Sequence, residues 1–379
     1  KRVTPLPDDQ LRYWVSHGPL SRLAERKGDK LILDLSQVED VETDDGVYLV
    51  GPQIELTDDH SVAIRFSDSE VYTPVDGSLW VLSKLHVQAA AAFLLPGRFH
   101  GNIHFGLPCV AAASLSCLKK TDVLYQLLAP HVRFTLRINN EALRVQRAQD
   151  RSKPYAPFPV SGEEFVSSIA SDVKQQLMEP GFRCPPWSLQ QEPLPFVRYG
   201  QAYYTEILNF INKIIPSISE RELSTWQHFM NGYIPNFNQK NMNEAISTII
   251  WQVSFLHSAD HYSMESLMQA DKYLFSKMRL KKPSDAGVTK DTPVEQVIKM
   301  ACDAEDRFRV NVFAGTFMRG HKHPLWSNTM NNIKYKFKNE SLQKDALSFQ
   351  KKLLLVEKEL EANEINICPL SNVFQSICW

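Results

Sequence analysis

The sequence predicts a mainly α-helical protein with a small β-containing portion at its N-terminal end. Over residues 1–78, short segments alternate apolar and polar residues and are separated by glycine, aspartate and proline, as in hairpins and edge strands. From Leu79 onward, apolar residues recur at i, i+3 and i+4 spacing, which is typical of amphipathic helices. We therefore expect a β-rich front portion over residues 1–78 and a helical body over residues 79–379.

The individual elements follow from the same two periodicities. Strands are predicted at Lys30–Leu35, Gly46–Val50 and Ser61–Phe66. Helices are predicted at Leu79–Leu95, Val123–Leu128, Phe165–Leu177, Tyr203–Ile215, Asn243–Leu267, Thr292–Phe317 and Leu342–Glu361. The proline-rich stretch Lys153–Pro159 is expected to connect two helices.

The composition is that of a globular protein without a preferred charged partner. The chain has 379 residues, of which 43% are hydrophobic and 22% are charged. Its 42 basic and 43 acidic residues nearly cancel, so no electrostatic field favours nucleic acid, and we expect no nucleic-acid partner. This length allows two domains, but large helical enzymes often form one body.

The lengths of the apolar runs and the spacing of the cysteines indicate whether the chain spans a membrane and which redox compartment it suits. No uninterrupted apolar run reaches the ~20 residues that span a bilayer. The longest stretches, such as Ala89–Leu95, are much shorter, so no transmembrane segment is predicted. The six cysteines have no CxxC spacing and form no dense framework. This pattern indicates free thiols and favours a reducing, cytoplasmic compartment.

Two pairs of histidines carry the candidate chemistry. His100 and His104 are four residues apart, as are His257 and His261, so each pair would share one face of a helix. If the two helices pack face to face, four imidazoles surround one point and can bind a metal ion. The apolar run before His257 indicates a buried helix, where an unpartnered histidine is costly. Surface or hydrogen-bonded core histidines show the same spacings, and this alternative stays open here.

The remaining histidines and the common catalytic and phosphate-binding motifs give no further candidate site. His321 and His323 are two residues apart and stand beside a lysine and a proline, which is typical of a solvated loop. His86 has no histidine partner at helical spacing and is expected to have a structural role. No glycine-rich phosphate loop, G-x-S-x-G or H-E-x-x-H motif occurs, so phosphoryl transfer, serine hydrolysis and zincin-type proteolysis lack support. A histidine site without cysteine ligands favours iron or manganese over structural zinc.

Five segments resemble the catalytic domain of the lipoxygenase family in order and approximate spacing. They are Trp80–Lys84 (W-x-L-A-K in the family), Val123–His131 (the end of H-P-x-y-k-L-L-x-P-H), Thr135–Asn139 (T-m-x-I-N), Ile249–His261 (the second ligand helix) and Gln375–Trp379 (N-S-I-S-I). The resemblance implies a lipoxygenase-like helical catalytic domain. It would be a single domain over residues 1–379, without the family's PLAT-type β-barrel.

The resemblance also implies a ligand set for non-haem iron, with manganese as the alternative metal. Lipoxygenases bind iron through H-x4-H on one helix, H-x3-N/H/S on a second helix, and the carboxylate of a terminal isoleucine. The matching positions in this chain are His100, His104, His257, His261 and the carboxylate of Trp379. The first pair departs from the family pattern, because one residue is lost between the two histidines.

Pro96 and Gly97 lie just before the shortened pair and oppose a continuous helix. Four-residue spacing places both imidazoles on one face of a regular α-helix, whereas five-residue spacing needs a π-type widening. We therefore expect His100 and His104 on a regular helix that restarts after Pro96 and Gly97. The alternative is that only His100, His257 and His261 remain as ligands, which would give weak metal binding or none.

These expectations describe a metal-dependent oxidoreductase of the dioxygenase type. It would abstract hydrogen from an activated C–H bond and oxygenate or rearrange an unsaturated fatty acid or another apolar metabolite. The expected partners are therefore an apolar small molecule and dioxygen. Ala142 matches the family's small residue that influences where oxygen adds, and is expected at the substrate. The alternative is a pseudoenzyme or a non-redox binding protein on the same fold, which the shortened pair and the bulky Trp379 favour.

Overall fold

A computed structural model describes residues 4–140, 193–233, 242–313 and 328–377. In these ranges an antiparallel sheet forms near the N-terminal end, and the later residues are mainly helical. The predicted fold class, mainly α with a small β-containing portion, is confirmed. The predicted helix Phe165–Leu177 and the proline-rich stretch Lys153–Pro159 lie outside the described residues.

The sheet contains five strands in sequential order, each antiparallel to its neighbours. They are β1 (Ala24–Lys27), β2 (Lys30–Asp34), β3 (Gln53–Thr57), β4 (Val62–Arg65) and β5 (Val71–Tyr72). Strands β2 and β4 coincide with two of the predicted strands. Leu33 pairs with Ile54, which pairs with Ile64, and all three side chains are buried. They share one hydrophobic cluster with the N-terminal helix α1 (Asp8–Ser16).

The predicted strand Gly46–Val50 is wrong, because these residues form a turn followed by irregular backbone. The alternation that suggested a strand reflects burial alone, since Val47 and Leu49 are buried without pairing in the sheet. The Tyr48 amide instead donates to the carbonyl oxygen of Met278 at 2.8 Å. This segment therefore bonds to a distant part of the chain rather than to a neighbouring strand.

Helices form most of the described chain after the sheet. They are α2 (Ser78–Phe93), α3 (His100–Gly106), α4 (Pro108–Ser116), α5 (Val123–Val132), α6 (Pro195–Ile214), α7 (Glu220–Asn231), α8 (Met242–Trp251), α9 (His257–Tyr262), α10 (Ala270–Tyr273), α11 (Val294–Ala301), α12 (Ala304–Phe313) and α13 (Glu340–Ala362). Residues 135–140 are also helical. The predicted helix Thr292–Phe317 is interrupted, because Cys302 has an extended backbone between α11 and α12.

A helical run of 39 residues, Ser78–Ser116, passes through the centre of the fold. Helix α2 continues into α3 through a π-type turn, Leu94–Phe99, which contains Pro96 and Gly97. The expected break at these two residues is therefore wrong. Proline removes an amide donor and its ring clashes with the carbonyl four residues earlier, and a widened turn relieves this clash. Helix α3 itself is regular, as expected from the four-residue spacing.

By its length and composition alone, the same run could cross a membrane. None of its uninterrupted apolar stretches, however, approaches the thickness of a bilayer. Among the described residues it is the one helix with that length and composition. Its most apolar window is 89% buried inside the protein. Leu82, Phe93 and Val110 each belong to a different hydrophobic cluster, so the run joins all three clusters. We interpret it as the core helix of the fold.

Helix α6 packs against both α8 and α13 in the largest hydrophobic cluster. Phe210 of α6 stacks on Phe349 of α13, with ring centroids 4.5 Å apart and ring planes 5° from parallel. Both rings are almost fully buried. This contact fixes two long helices beside the helix that leads into α9.

Candidate metal centre

Four histidine side chains meet between α3 and α9. His100 and His104 lie on α3, and His257 and His261 lie on α9. All four are buried, and one ring nitrogen of each lies within 4.8 Å of the others. The structure thus brings together the four histidines that the sequence analysis selected. Within the described parts of the chain, no other group of three or more metal-binding side chains converges in this way.

The backbone around each pair preserves its spacing. Helix α9 is a regular segment of six residues between two π-type turns, Gln252–Leu256 and Ser263–Leu267. Helix α3 is a regular segment that follows the π-type turn Leu94–Phe99. Residues four apart in a regular helix project from one face, about one turn apart. Because the wide turns lie outside both pairs, each pair presents its two imidazoles to the same point.

His104 lies close to two of the other histidines. Its Nε2 atom is 3.0 Å from Nε2 of His100 and 3.2 Å from Nε2 of His257. Two ligand atoms that are each about 2.1 Å from one metal ion and at right angles to each other lie about 3.0 Å apart. The observed separations therefore fit neighbouring positions around one metal ion.

Asn139 orients the ring of His104. Its amide Nδ2 donates to the backbone carbonyl oxygen of His104, so its Oδ1 faces the ring, where it accepts from Nδ1–H at 2.9 Å. A neutral imidazole carries one proton. With that proton on Nδ1, the Nε2 atom of His104 presents a lone pair to the centre of the group, which is the form that binds a metal ion.

Burial keeps three of the four imidazoles neutral. Removal from water lowers the pKa of His104 to about 4. Burial, together with the neighbouring histidines, lowers the pKa of His100 and of His257 well below the usual 6.5. A cluster of protonated rings would also repel itself. His100, His104 and His257 are therefore uncharged near pH 7, as imidazole metal ligands must be.

Several buried atoms at the site have no hydrogen-bond partner among the described residues. They are Nδ1 of His100, Nδ1 of His257 and Oδ2 of Asp260. Unpaired buried polar atoms are costly and concentrate where they serve a function. Four converging imidazoles without a thiolate form a donor set that suits a first-row transition metal. The residues present therefore fit a bound metal ion of this kind.

A buried ion pair adjoins the histidines. Nη1 of Arg22 donates to Oδ1 of Asp260 at 3.2 Å, and the Asp260 side chain is only 1% exposed. Burial raises the pKa of Asp260 to about 6, although Arg22 opposes this shift. The guanidinium of Arg22 also lies over the ring of Phe99, 4.3 Å from its centroid. A charged group thus reaches the site from the N-terminal portion.

The sequence analysis did not assign Asn139, Asp260 or Arg22 to the site. Asn139 stands in a segment that resembles the family, but spacing alone does not connect it to His104. Asp260 could have been assigned to the site from the sequence, because it is a lone carboxylate between two candidate ligands on a helix that begins with an apolar run. Arg22 has no comparable pattern around it.

The C-terminal segment runs beside α9 up to Ile377, where the description ends. The amide of Phe374 donates to Oγ of Ser258 at 3.0 Å, next to His257. Nδ1–H of His131 donates to the carbonyl oxygen of Gln375 at 2.7 Å. The segment is therefore tied to the helix that carries two of the histidines.

Some expected site residues lie outside the described residues. These are the two further members of the predicted site, Ala142 and Trp379, and the loop histidines His321 and His323. His86 is buried apart from the four-histidine group, and its Nε2 lies 3.0 Å from the carbonyl oxygen of Lys281. This contact agrees with the structural role expected for His86.

Comparison with solved structures identifies the fold. A coral 8R-lipoxygenase matches with a TM-score of 0.79 at 13% identity, over 98% of this chain and 66% of the coral chain. A 9R-lipoxygenase from Cyanothece PCC8801 matches with a TM-score of 0.65 at 13% identity, over 97% of this chain and 63% of that one. A lipoxygenase from Fusarium graminearum matches with a TM-score of 0.67 at 14% identity, over 92% and 72%.

No protein-family model matches the chain, and no curated protein matches its sequence. The chain spans about two thirds of the length of the structures it resembles. The likeness at this level of identity concerns the course of the backbone. The protein therefore has a lipoxygenase-like fold, with a buried group of four histidines where two of its helices meet.

Proposed function

We propose that His100, His104, His257 and His261 bind one non-haem iron ion and that the protein is a lipoxygenase-type oxygenase. The convergence of four buried imidazoles within 4.8 Å carries this proposal. Iron is favoured because the donors are imidazoles without a thiolate and because the fold is lipoxygenase-like. Manganese is the alternative metal.

The proposed reaction begins with hydrogen abstraction from an activated C–H bond of an unsaturated fatty acid or another apolar metabolite. Oxygenation or rearrangement of the substrate follows. In the oxygenation, one R–H and one O2 give one R–OOH, so atoms and electrons balance. The bound iron supplies the one-electron chemistry, and the protein would be a metal-dependent oxidoreductase with an apolar substrate and dioxygen as its partners.

The chain's own residues would hold the metal ion and keep water away from it. Asn139 keeps the lone pair of His104 directed at the centre of the group. Ile103, Phe255 and Ala259 lie on or beside the two ligand helices and are buried. These apolar surroundings exclude water and suit an apolar substrate.

Two further assignments belong to this proposal. Ala142 is proposed to border the substrate, and the carboxylate of Trp379 is proposed as a fifth metal ligand. The bond between Phe374 and Ser258 supports the second assignment, because it holds the C-terminal segment beside α9 five residues before Trp379. We also propose that residues 1–379 form one catalytic domain.

Metal content is the first test. The protein is purified without added metal, loaded anaerobically with ferrous iron, desalted and analysed by elemental analysis. We expect about one iron per chain in the parent, loss of iron in His257→Ala, and parent-like iron in the control His228→Ala, which removes an exposed histidine of α7. Oxygen uptake with a panel of polyunsaturated fatty acids then tests the reaction.

A different result would support a different function. A folded parent that takes up no transition metal, even after anaerobic loading, contradicts the proposed oxygenase. The lipoxygenase-like fold would then act as a pseudoenzyme or a non-redox binding protein. One iron per chain without oxygen uptake on any fatty acid would instead direct the search to other apolar metabolites.

A further inference from the structure

Asp260 is a buried carboxylate with one oxygen paired and the other unpaired. Oδ1 accepts from Nη1 of Arg22 at 3.2 Å, while Oδ2 has no hydrogen-bond partner among the described residues. Nδ1 of His100 lies 3.9 Å from that Oδ2 and also lacks a partner. Two buried polar atoms, an acceptor and a potential donor, thus lie just beyond hydrogen-bond distance of each other.

The ring of His100 is oriented to use both of its nitrogens. Its Nε2 lies 3.0 Å from Nε2 of His104, on the side where the four histidines converge. Its Nδ1 lies on the side of Asp260. A histidine that binds a metal ion through Nε2 carries its proton on Nδ1, and it usually donates that proton to a carboxylate, a carbonyl or water. Asp260 occupies the place of this acceptor.

We propose that Asp260 and Arg22 are positioning residues of the metal centre. The carboxylate of Asp260 accepts the Nδ1 proton of His100 when His100 binds a metal ion, and Arg22 holds that carboxylate in place. This inference rests on the proposed function, since it requires a metal ion on His100. It adds an outer partner for His100 that matches the one Asn139 provides for His104.

Arg22 suits the second role for physical reasons. A carboxylate that is 1% exposed needs a cation nearby, and a guanidinium keeps its charge at any working pH. Arg22 is itself only 15% exposed, and its guanidinium rests on Phe99, the residue before His100. It belongs to the short helix Pro19–Leu23 beside the sheet. The N-terminal portion therefore contributes directly to the alignment of α3 with α9.

A purely stabilising role and a positioning role of this ion pair predict different results when the pair is removed. If the pair only joins the N-terminal portion to α9, its loss lowers stability and leaves metal affinity and the electronic spectrum of the bound metal unchanged. If it positions His100, its loss weakens metal binding and changes that spectrum. Partners of this kind typically contribute 10-fold to 100-fold in metal affinity.

The test uses the full chain, with ferrous iron for affinity and cobalt(II) as a spectroscopic probe. Asp260→Asn keeps the size of the side chain and removes its charge. The matched control is Asp122→Asn, since Asp122 is also buried and pairs with an arginine, Arg221, at 2.8 Å outside the histidine group. We expect Asp260→Asn to bind one metal ion at saturation, with 10-fold to 100-fold weaker affinity by chelator competition and an altered cobalt spectrum. Asp122→Asn should match the parent in both.

Parent-like affinity and a parent-like cobalt spectrum in Asp260→Asn would overturn the inference while leaving the proposed function intact. A parent protein that takes up no metal would overturn the proposed function, and the inference with it. If Asp260→Asn does not fold, Arg22→Gln replaces it, because Arg22 is less buried than Asp260. Weaker affinity with a changed spectrum is expected for that variant, and parent values would again contradict the inference.

Discussion

Asn139 holds His104 through both ends of its amide, since Oδ1 lies 2.9 Å from the ring Nδ1 and Nδ2 donates to the backbone carbonyl oxygen of the same residue. One side chain thus determines the position of the backbone and the orientation of the ring together. Because the other ring nitrogen faces the histidine group, this contact decides which nitrogen is available to a metal ion.

Asn139→Ala tests this contact. We expect metal affinity to fall by about 10-fold to 100-fold, because the ring loses the partner that fixes its proton. The metal-free protein should lose about 1 to 3 kcal/mol of unfolding free energy, because a buried N–H and a buried carbonyl lose their partners. Chelator competition and urea unfolding measure the two effects. Asn209→Ala, at an exposed position of α6, is the control, and equal metal affinity in both variants would contradict the prediction.

His131 makes stability depend on pH. Burial lowers its pKa from 6.5 to about 4, so the unfolded chain takes up a proton at a higher pH than the folded protein does. The stability contributed by neutral His131 is complete above about pH 6.5 and is lost as the pH falls toward 4. Between pH 6 and 5, the parent should therefore lose about 1 kcal/mol per pH unit more than His131→Asn.

Urea unfolding of both proteins at several pH values measures this difference. Burial also lowers the pKa of His86, so His86 adds its own pH dependence to the stability of both proteins. The difference between parent and variant removes this shared contribution. Parallel stability curves for parent and variant would show that His131 does not titrate as described. The variant also loses the bond to the carbonyl oxygen of Gln375, so at pH 7.5 its unfolding free energy should be lower than that of the parent.

Ser258 ties the C-terminal segment to α9. In Ser258→Ala the amide of Phe374 loses its acceptor, which costs about 1 to 3 kcal/mol at a buried position. We expect faster hydrogen exchange at residues 374–377, with little change in the sheet. Mass spectrometry of exchange measures this, with Ser224→Ala at an exposed position of α7 as the control. Unchanged exchange at residues 374–377 would mean that other bonds suffice to hold the segment.

The stacked pair Phe210 and Phe349 tests the packing of the helical body. Phe349→Ala should lower the unfolding free energy by about 3 to 5 kcal/mol, because it leaves a cavity between α6 and α13. Leu355→Ala on the same helix is the control, since that side chain is 63% exposed. A double-mutant cycle with Phe210→Ala should give a coupling of about 0.5 to 1.5 kcal/mol. Additive effects would argue against direct stacking.

Local patterns predicted much of the fold and the convergence of the histidines. The spacing of His257 and His261 is a property of one helix, so a few residues of sequence suffice to place them on one face. The apolar run before His257 likewise indicated burial, which the structure shows. Features of this kind are readable because their physical cause lies within a few turns of the chain.

Contacts between distant segments were not predictable in this way. Arg22 and Asp260 are 238 residues apart, and no periodicity connects them. Helix propensity also failed at Pro96 and Gly97, because packing on both sides of the central run outweighs the local preference for a break. In each of these cases the deciding interaction lies outside the segment whose sequence was interpreted.

The wide turn Leu94–Phe99 has a consequence for which sequence changes the protein can accept. Each residue of an α-helix advances the chain by about 100° around its axis, and a π-type turn contains one residue more than an α-turn. The wide turn therefore absorbs one extra residue without changing the phase of the helix, and deleting one residue there would let the run close as ordinary α-helix with His100 and His104 still facing α9. This turn should therefore accept the loss of one residue more readily than the regular helix α3, where a deletion between His100 and His104 would turn one imidazole about 100° away from the other.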